Sequence, residues 1–196
     1  MTRQRVRDPD RKARILAAAA RLGARRGFHA ISLADIGAEA GIVGSGIYRH
    51  FDSKTAILVA MLDRVMDMLT SSAAAIVARD RGDAEALTDL VRDHVQVAVR
   101  DRDVLAVYHF ETHTLPEDDR RRLRRSQRHY IEDWVHVLAP LRPDLADTEL
   151  RLAVYAAISA IHAPLFFHSG LPGDRLAVLL ETMAHGCLGT RPEAGD

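Results

Sequence analysis

The chain has 196 residues, 47% of them hydrophobic and 28% charged, and its 27 basic residues balance its 27 acidic ones. That length suits one large or two small domains, and no apolar run reaches the ~18 residues that a membrane-spanning helix needs. Cys187 is the only cysteine, which excludes an intramolecular disulfide and a cysteine-based zinc site and leaves it reading as a small buried apolar residue.

Residues 1–9 are polar, carry Pro9 and lack the apolar core of a signal peptide, so a flexible arm on a cytoplasmic protein is expected. The first helix is predicted over about Asp10–Arg26, with Asp10 as a candidate cap, Ile15, Leu16, Ala19 and Leu22 as its core stripe, and Gly27 as its stop. Phe28 and Ile31 read as buried anchors. Ser32 then opens a second, short helix by accepting from its free N–H groups. Leu33, Ile36 and Ala40 share one face of that helix, and Gly41 supplies a turn because glycine takes positive φ without a Cβ clash. Another short helix follows, ending in Tyr48, Arg49, His50 and Phe51. Two helices around a glycine turn make a helix-turn-helix, whose second helix can enter a DNA major groove.

A long helix is expected after Asp52 or Ser53, running through Ile57, Leu58, Met61, Leu62, Val65 and Leu69 towards Arg79. The break at Asp80-Arg81-Gly82-Asp83 ends it. Further helices are predicted at about 84–101, 103–114, 117–139, 147–169 and 173–188. Pro116 opens one of them, Pro140 and Pro143 end it, and Pro164 should kink or shorten the next. Period-two strand patterns are absent, so the fold class is all-α.

Charge divides along the chain. Residues 1–54 hold eleven basic and five acidic side chains, a net of +6 that the remainder balances at −6. Taken alone, this fits either a DNA-reading head on an acidic body or a solvated surface with a basic tail; the adjacent helix-turn-helix favours the first.

The ordered set ILAAAARLGARRGFHAISL, DIGAEAGI and IYRHFDSK, followed by a long apolar helix, resembles the DNA-binding domain of TetR-type transcriptional regulators. It runs from about Arg11 to Met61, about a quarter of the chain. The rest matches the family's general plan. The resemblance implies an N-terminal three-helix helix-turn-helix domain over 1–54, joined through a shared long helix to a larger helical ligand-binding and dimerisation domain over 55–190, with 191–196 as a flexible tail. Val43 stands where the family often has a capping Ser or Thr, and Ser45 stands near a usual Gly. The run Gly44-Ser45-Gly46 moves the cap to Ser45 and shifts the helix start by a residue or two.

By that resemblance Tyr48 hydrogen-bonds a phosphate, and Lys54 contacts another beside the positive end of its helix. Their plainer readings are a half-buried aromatic and a surface lysine. Arg49 and His50 are expected to reach backbone or bases, and Ser32 to add a phosphate contact to its cap. Gly44, Ser45 and Gly46 lie where base edges come close. Phe51 reads as core.

In the body, Leu150, Val154, Ala157 and Ile161, with Leu176, Leu180 and Met183, form apolar stripes interleaved with alanines. Small residues permit close helix approach and large ones give buried area. In the family the last two helices form a four-helix bundle with those of a partner; the pattern fits an intramolecular core as well. Tyr108, Phe110, His113, Trp134, His162 and Phe166 mix aromatic bodies with polar tips, as small-molecule pockets do; each also reads as core. Glu111 diverges from His109 and His113 at i, i+2 spacing; the two histidines, at i, i+4, could share a metal, but no third ligand is evident, so no metal site is expected. The arginines from Arg120 to Arg125 follow Asp118 and Asp119. They read either as a solvated face of dipole and i, i+4 pairs or as a phosphate-binding rim that includes Arg121 and Arg125. The stretch YHFETHTLPEDDRRRLRRSQRHYIEDWVHVL distantly resembles TetR-type repressors that sense acyl-CoA thioesters, in which such arginines would hold the CoA phosphates.

The resemblance thus implies a homodimeric regulator of double-stranded DNA, most simply a repressor released from a palindromic operator by a small hydrophobic effector. The other reading is a helical small-molecule binder with only non-specific DNA affinity. Nucleophile elbow, phosphate loop and paired catalytic carboxylates are all lacking, so no enzyme, no catalytic residue and no cofactor is expected.

Overall fold

The computed structural model describes residues 10–42 and 44–191, without the side chains of Asp10, Gly44 and Ser45. The expected arm, Val43, the cap on Ser45 and residues 192–196 of the expected tail lie outside the described residues. Within them the chain is helical: α1 (Asp10–Arg26), α2 (Leu33–Glu39), a 3₁₀ segment (Gly44–Arg49), α3 (Lys54–Val77), α4 (Asp83–Arg100), α5 (Arg102–Glu111), α6 (Glu117–Leu138), α7 (Asp147–Ile161) and α8 (Gly173–Leu188).

The boundaries have local causes. Ser32 Oγ accepts from Asp35 N–H at 3.1 Å, while the Asp35 carboxylate accepts from Ser32 N–H at 2.8 Å and from its hydroxyl at 2.6 Å, which closes a capping box on α2. Gly41 makes the turn at φ +67°. The second helix of the motif is 3₁₀, not α. Two glycines in six residues weaken α-helical propensity, and the tighter coil still turns Ile47 into the core at 2% exposure. Ser53 Oγ caps α3 by accepting from Ala56 N–H at 3.0 Å. The expected helix 103–114 stops at Glu111 and tightens into a 3₁₀ turn at Thr112–Thr114. The expected 147–169 ends at Ile161, because Pro164 has no N–H to continue it and sits in a 3₁₀ turn instead.

One core runs the length of the molecule, from Ile15 and Phe28 in the head through Met61 and Leu62 to Trp134, Leu138 and Leu188. α3 packs on both α1 and α6, and α7 packs along α8. α1 also packs on α5. Gly23 permits that approach: a Cβ there would stand 2.9 Å from Val107 Cγ2.

The expected dimer seam needs correction. Leu150, Val154, Ala157, Ile161 and Leu180 are buried inside the subunit, and Leu176 is partly so; only Met183 is exposed. α7 and α8 are apolar on two faces, and periodicity alone does not say which turns inward. The outward face carries Leu152 and Tyr155 on α7 and Val178, Leu179 and Met183 on α8. Cys187, read as buried, is exposed on α8.

Candidate functional site

The head presents Tyr48, 58% exposed, and Arg49 to solvent, while Ile47 and Phe51 on either side are buried. His50 is half-buried. Ile47 and Phe51 thus act as pegs that aim Tyr48 and Arg49 outward, a polar-tipped ring beside a guanidinium, the pair that phosphate and base edges accept. Lys12 Nζ lies 5.9 Å from the Phe51 ring centroid, adding positive charge near the same edge. Gly46 answers to packing: a Cβ on it would stand 2.7 Å from Ile42 Cγ2. The Ser32 hydroxyl is already engaged with Asp35, so a phosphate contact would have to share or displace that carboxylate.

Lys54 does something the sequence did not suggest. Its ammonium donates to Phe28 O at 3.1 Å, His29 O at 2.9 Å and Ile31 O at 2.9 Å. All three donors are spent on the loop between α1 and α2. The expected phosphate contact is open to it only by giving one of these up. The same loop is held from the body: Phe28 N–H donates to Glu111 Oε1 at 3.0 Å, and that carboxylate is buried.

Glu111 ends α5, and α5 also forms part of an inner cavity of ≈ 50 Å³ through Leu105 and Tyr108. Met66, Leu69, Ile131 and Ile158 supply apolar wall. A buried polar chain crosses it: Tyr130 Oη lies 2.7 Å from His94 Nδ1, and His94 Nε2 lies 2.8 Å from His162 Nε2. Burial, then the neighbouring His162, drives the His94 pKa well below its usual value; burial, then His109, lowers His162 to about 4. Burial raises the Tyr130 phenol, and raises Tyr108 to about 12. Trp134 is fully buried beside this chain, 6.1 Å from both the His94 and Tyr130 ring centroids. Its indole N–H makes no hydrogen bond of ordinary geometry. A second cleft of ≈ 350 Å³ opens between α1, α3 and the start of α5, lined by Leu16, Met61, Arg64, Met68 and Val104, and Val65 belongs to both walls.

Of the expected ligand residues, Tyr108 and His162 line the inner cavity and Trp134 backs it. Phe110 and Phe166 do not: both are more than half exposed and stack edge-to-face on His109, with centroids 5.1 and 4.9 Å away. His113 is exposed. Arg121 and Arg125 are also exposed and outside the cavity, because their helix turns Leu123, Tyr130 and Trp134 inward instead. Arg121 pairs with Asp118 at 2.8 Å, and Arg122 with Asp119 and Asp63 at 2.7 Å each, as a solvated face would. Arg120 pairs with Glu117. Among the described residues no three His, Cys, Asp or Glu side chains converge on a metal position, and no helix is long and apolar enough to cross a membrane.

His94, Tyr130 and Glu111 escaped the sequence reading as site residues. His94 stands on the stripe Leu87, Leu90, Val91, Val95, Ala98, and Tyr130 on the stripe Leu123, Ile131, Trp134. A polar-tipped residue on an apolar stripe was the available signal.

The family model described as "Bacterial regulatory proteins, tetR family" matches residues 15–61, and "Tetracyclin repressor-like, C-terminal domain" matches residues 80–164. The chain belongs to the TetR family. The HTH-type transcriptional repressor KstR2 of Rhodococcus jostii (strain RHA1) is 30% identical over 129 residues, 65% of this chain and 63% of that protein, so the match spans under two thirds of that relative. A TetR-family regulator from Bordetella parapertussis 12822 shares the fold with a TM-score of 0.81 at 24% identity, covering 94% of this chain and 97% of the other. AibR, solved in complex with isovaleryl coenzyme A and operator DNA, does so with a TM-score of 0.74 at 19% identity, covering 88% and 97%. These likenesses place the described head and body within the TetR plan.

Proposed function

We propose that the chain is a homodimeric, ligand-responsive transcriptional regulator, most simply a repressor released from a palindromic operator when a small hydrophobic effector enters the body. One arrangement carries the reading: α5 walls the inner cavity with Leu105 and Tyr108, packs Val107 on Gly23 of α1, and holds Phe28 N–H with Glu111. A ligand that prefers one position of α5 therefore biases the position of the head, and it can do so only by its differential affinity for the two. AibR was solved with an acyl-CoA and operator DNA together, which makes a CoA thioester the first effector class to try. The head–body cleft is the roomier space and shares Val65 with the inner cavity.

The exposed face of α7 and α8 is the proposed dimer face. Val178→Asp or Leu152→Asp should yield a folded monomer, since both side chains are exposed, whereas Val154→Asp, at 0% exposure, should fail to fold. Sedimentation velocity with circular dichroism separates the outcomes; a dimer surviving both exposed substitutions would place the interface elsewhere.

Selection of genomic fragments by the purified protein tests the regulatory reading. A recurring palindrome released by CoA thioesters is expected. A specificity ratio near one between selected and random DNA at fixed salt would leave only non-specific affinity.

A further inference from the structure

The Tyr130–His94–His162 chain carries one more proton than its own links use. A neutral imidazole has one N–H and a phenol one O–H, so three protons serve two links. If Tyr130 donates to His94 Nδ1, then His94 Nε2 must donate to His162 Nε2, and the spare donor is His162 Nδ1–H. If His94 Nδ1 donates to Tyr130, then His162 Nε2 donates to His94, and the spare donor is the phenol O–H. No other neutral arrangement satisfies both contacts of 2.7 and 2.8 Å. Burial keeps both imidazoles neutral at pH 7. All three side chains face the inner cavity, whose wall holds no carboxylate, ammonium or guanidinium; Tyr108, Gln127 and Tyr155 are its other polar members.

We propose that the inner cavity takes an uncharged group bearing one hydrogen-bond-accepting oxygen on an apolar frame, a ketone, ester or thioester carbonyl, and that Tyr130 is the donor that recognises it. This rests on the reading of the cavity as the effector site. A carboxylate would enter without a countercharge and an amine without an acceptor carboxylate, each at a large desolvation cost. Without ligand, the phenol donates to His94 Nδ1, the acceptor that stands 2.7 Å from it. When a ligand oxygen accepts from the phenol O–H, both links reverse: Tyr130 passes its proton to His94 Nδ1, His94 passes its Nε2 proton to His162 Nε2, the His162 Nδ1 proton goes to solvent water, and a proton from solvent water restores the phenol O–H that donates to the ligand. His94 becomes the Nδ1–H tautomer and His162 the Nε2–H tautomer. One proton leaves and one enters, so the charge is unchanged. The oxygen is thereby reported two links away, at the residue that caps the end of α7. The cavity of ≈ 50 Å³ admits the oxygen and a few atoms as it stands. Met66 in its wall has the flexible side chain that lets it open for the frame.

Trp134 is the only tryptophan and lies against the chain, so its emission reports occupancy. The full-length protein is titrated with cyclohexanone, methylenecyclohexane, cyclohexanecarboxylate and cyclohexylamine, following Trp134 emission and the ¹⁵N signals of the histidine rings. The ketone should bind at least about tenfold tighter than each of the others, the worth of one buried hydrogen bond or more. His94 should pass from Nε2–H to Nδ1–H on saturation. Tyr130→Phe should shrink the ketone's advantage over the hydrocarbon. Preference for the carboxylate or the amine would overturn the ligand class and leave the effector reading standing. Ketone binding without a tautomer change would overturn the proton chain. Silence from every probe, in emission and in ¹⁵N spectra alike, would remove the cavity as an effector site and this inference with it.

Discussion

Acidifying the protein from pH 7 to pH 5 should destabilise it by about 2 kcal/mol through His162 alone, rising to about 3 kcal/mol at pH 4. The folded pKa is about 4 against an ordinary 6.5. Between those values the unfolded chain binds the proton and the folded chain does not. Stability therefore rises with pH across that window, is complete above about pH 6.5, and falls as the pH drops through it. His94 acts in the same direction, from burial and then from His162, and so does His185, from burial and then Arg92. Two carboxylates oppose them: burial raises Asp93 and Asp133, and each then favours the folded state as it protonates. Their window runs upward from an ordinary 3.8, so they offset the histidines from its acid side. Urea midpoints from pH 7 to pH 5, by circular dichroism, give the slope. Replacing His162 by Asn should flatten it. A flat wild-type profile would mean that the buried chain accepts protons where it stands.

The head was legible because its signals are local. The cap at Ser32, the turn at Gly41 and the cap at Asp52 or Ser53 each depend on a few neighbouring residues; the first two form as expected, and Ser53 takes the third. The helix count and the break at Pro164 were legible for the same reason. What the sequence left unread is long-range. Stripes on α7 and α8 show that these helices bury apolar faces, but Leu150 and Leu152 look equally apolar, and only the packing of α7 on α8, α6 and α4 decides that the first is core and the second surface. The polar chain joins residues 36 and 68 positions apart, and the Glu111–Phe28 bond spans 83. The 3₁₀ character of the second motif helix was missed because spacing marks an inward face, not the tightness of the coil presenting it.

Lys54→Met should unfold the head while leaving the body standing, and this separates two accounts of the residue. If Lys54 only met a phosphate, removing its charge would weaken binding to all sequences, lower the slope of log affinity against log salt by about one, and leave stability untouched. The geometry predicts otherwise. Its ammonium satisfies the carbonyls of Phe28, His29 and Ile31, in the loop that sets α2 against α1. Hydrogen bonds to a charged group are worth about 1.5–3 kcal/mol each, and orphaned carbonyls add to the loss, so about 3 kcal/mol or more should go from the head. Methionine keeps the apolar stem near Phe28 and takes away only the donors. Arginine is no conservative rescue, since a planar fork cannot reach three carbonyls around one nitrogen. The head buries Ile15, Phe28, Ile36 and Ile47 around this loop and packs on α5 and α3, so a loss of this size in the loop should appear as local opening. Hydrogen exchange should then show α1 and α2 unprotected while α6 and α8 stay protected, and Trp134 emission should be unchanged. Operator affinity should collapse at every salt concentration. A variant with full protection in α1 and a salt slope lower by about one would restore the phosphate role to Lys54.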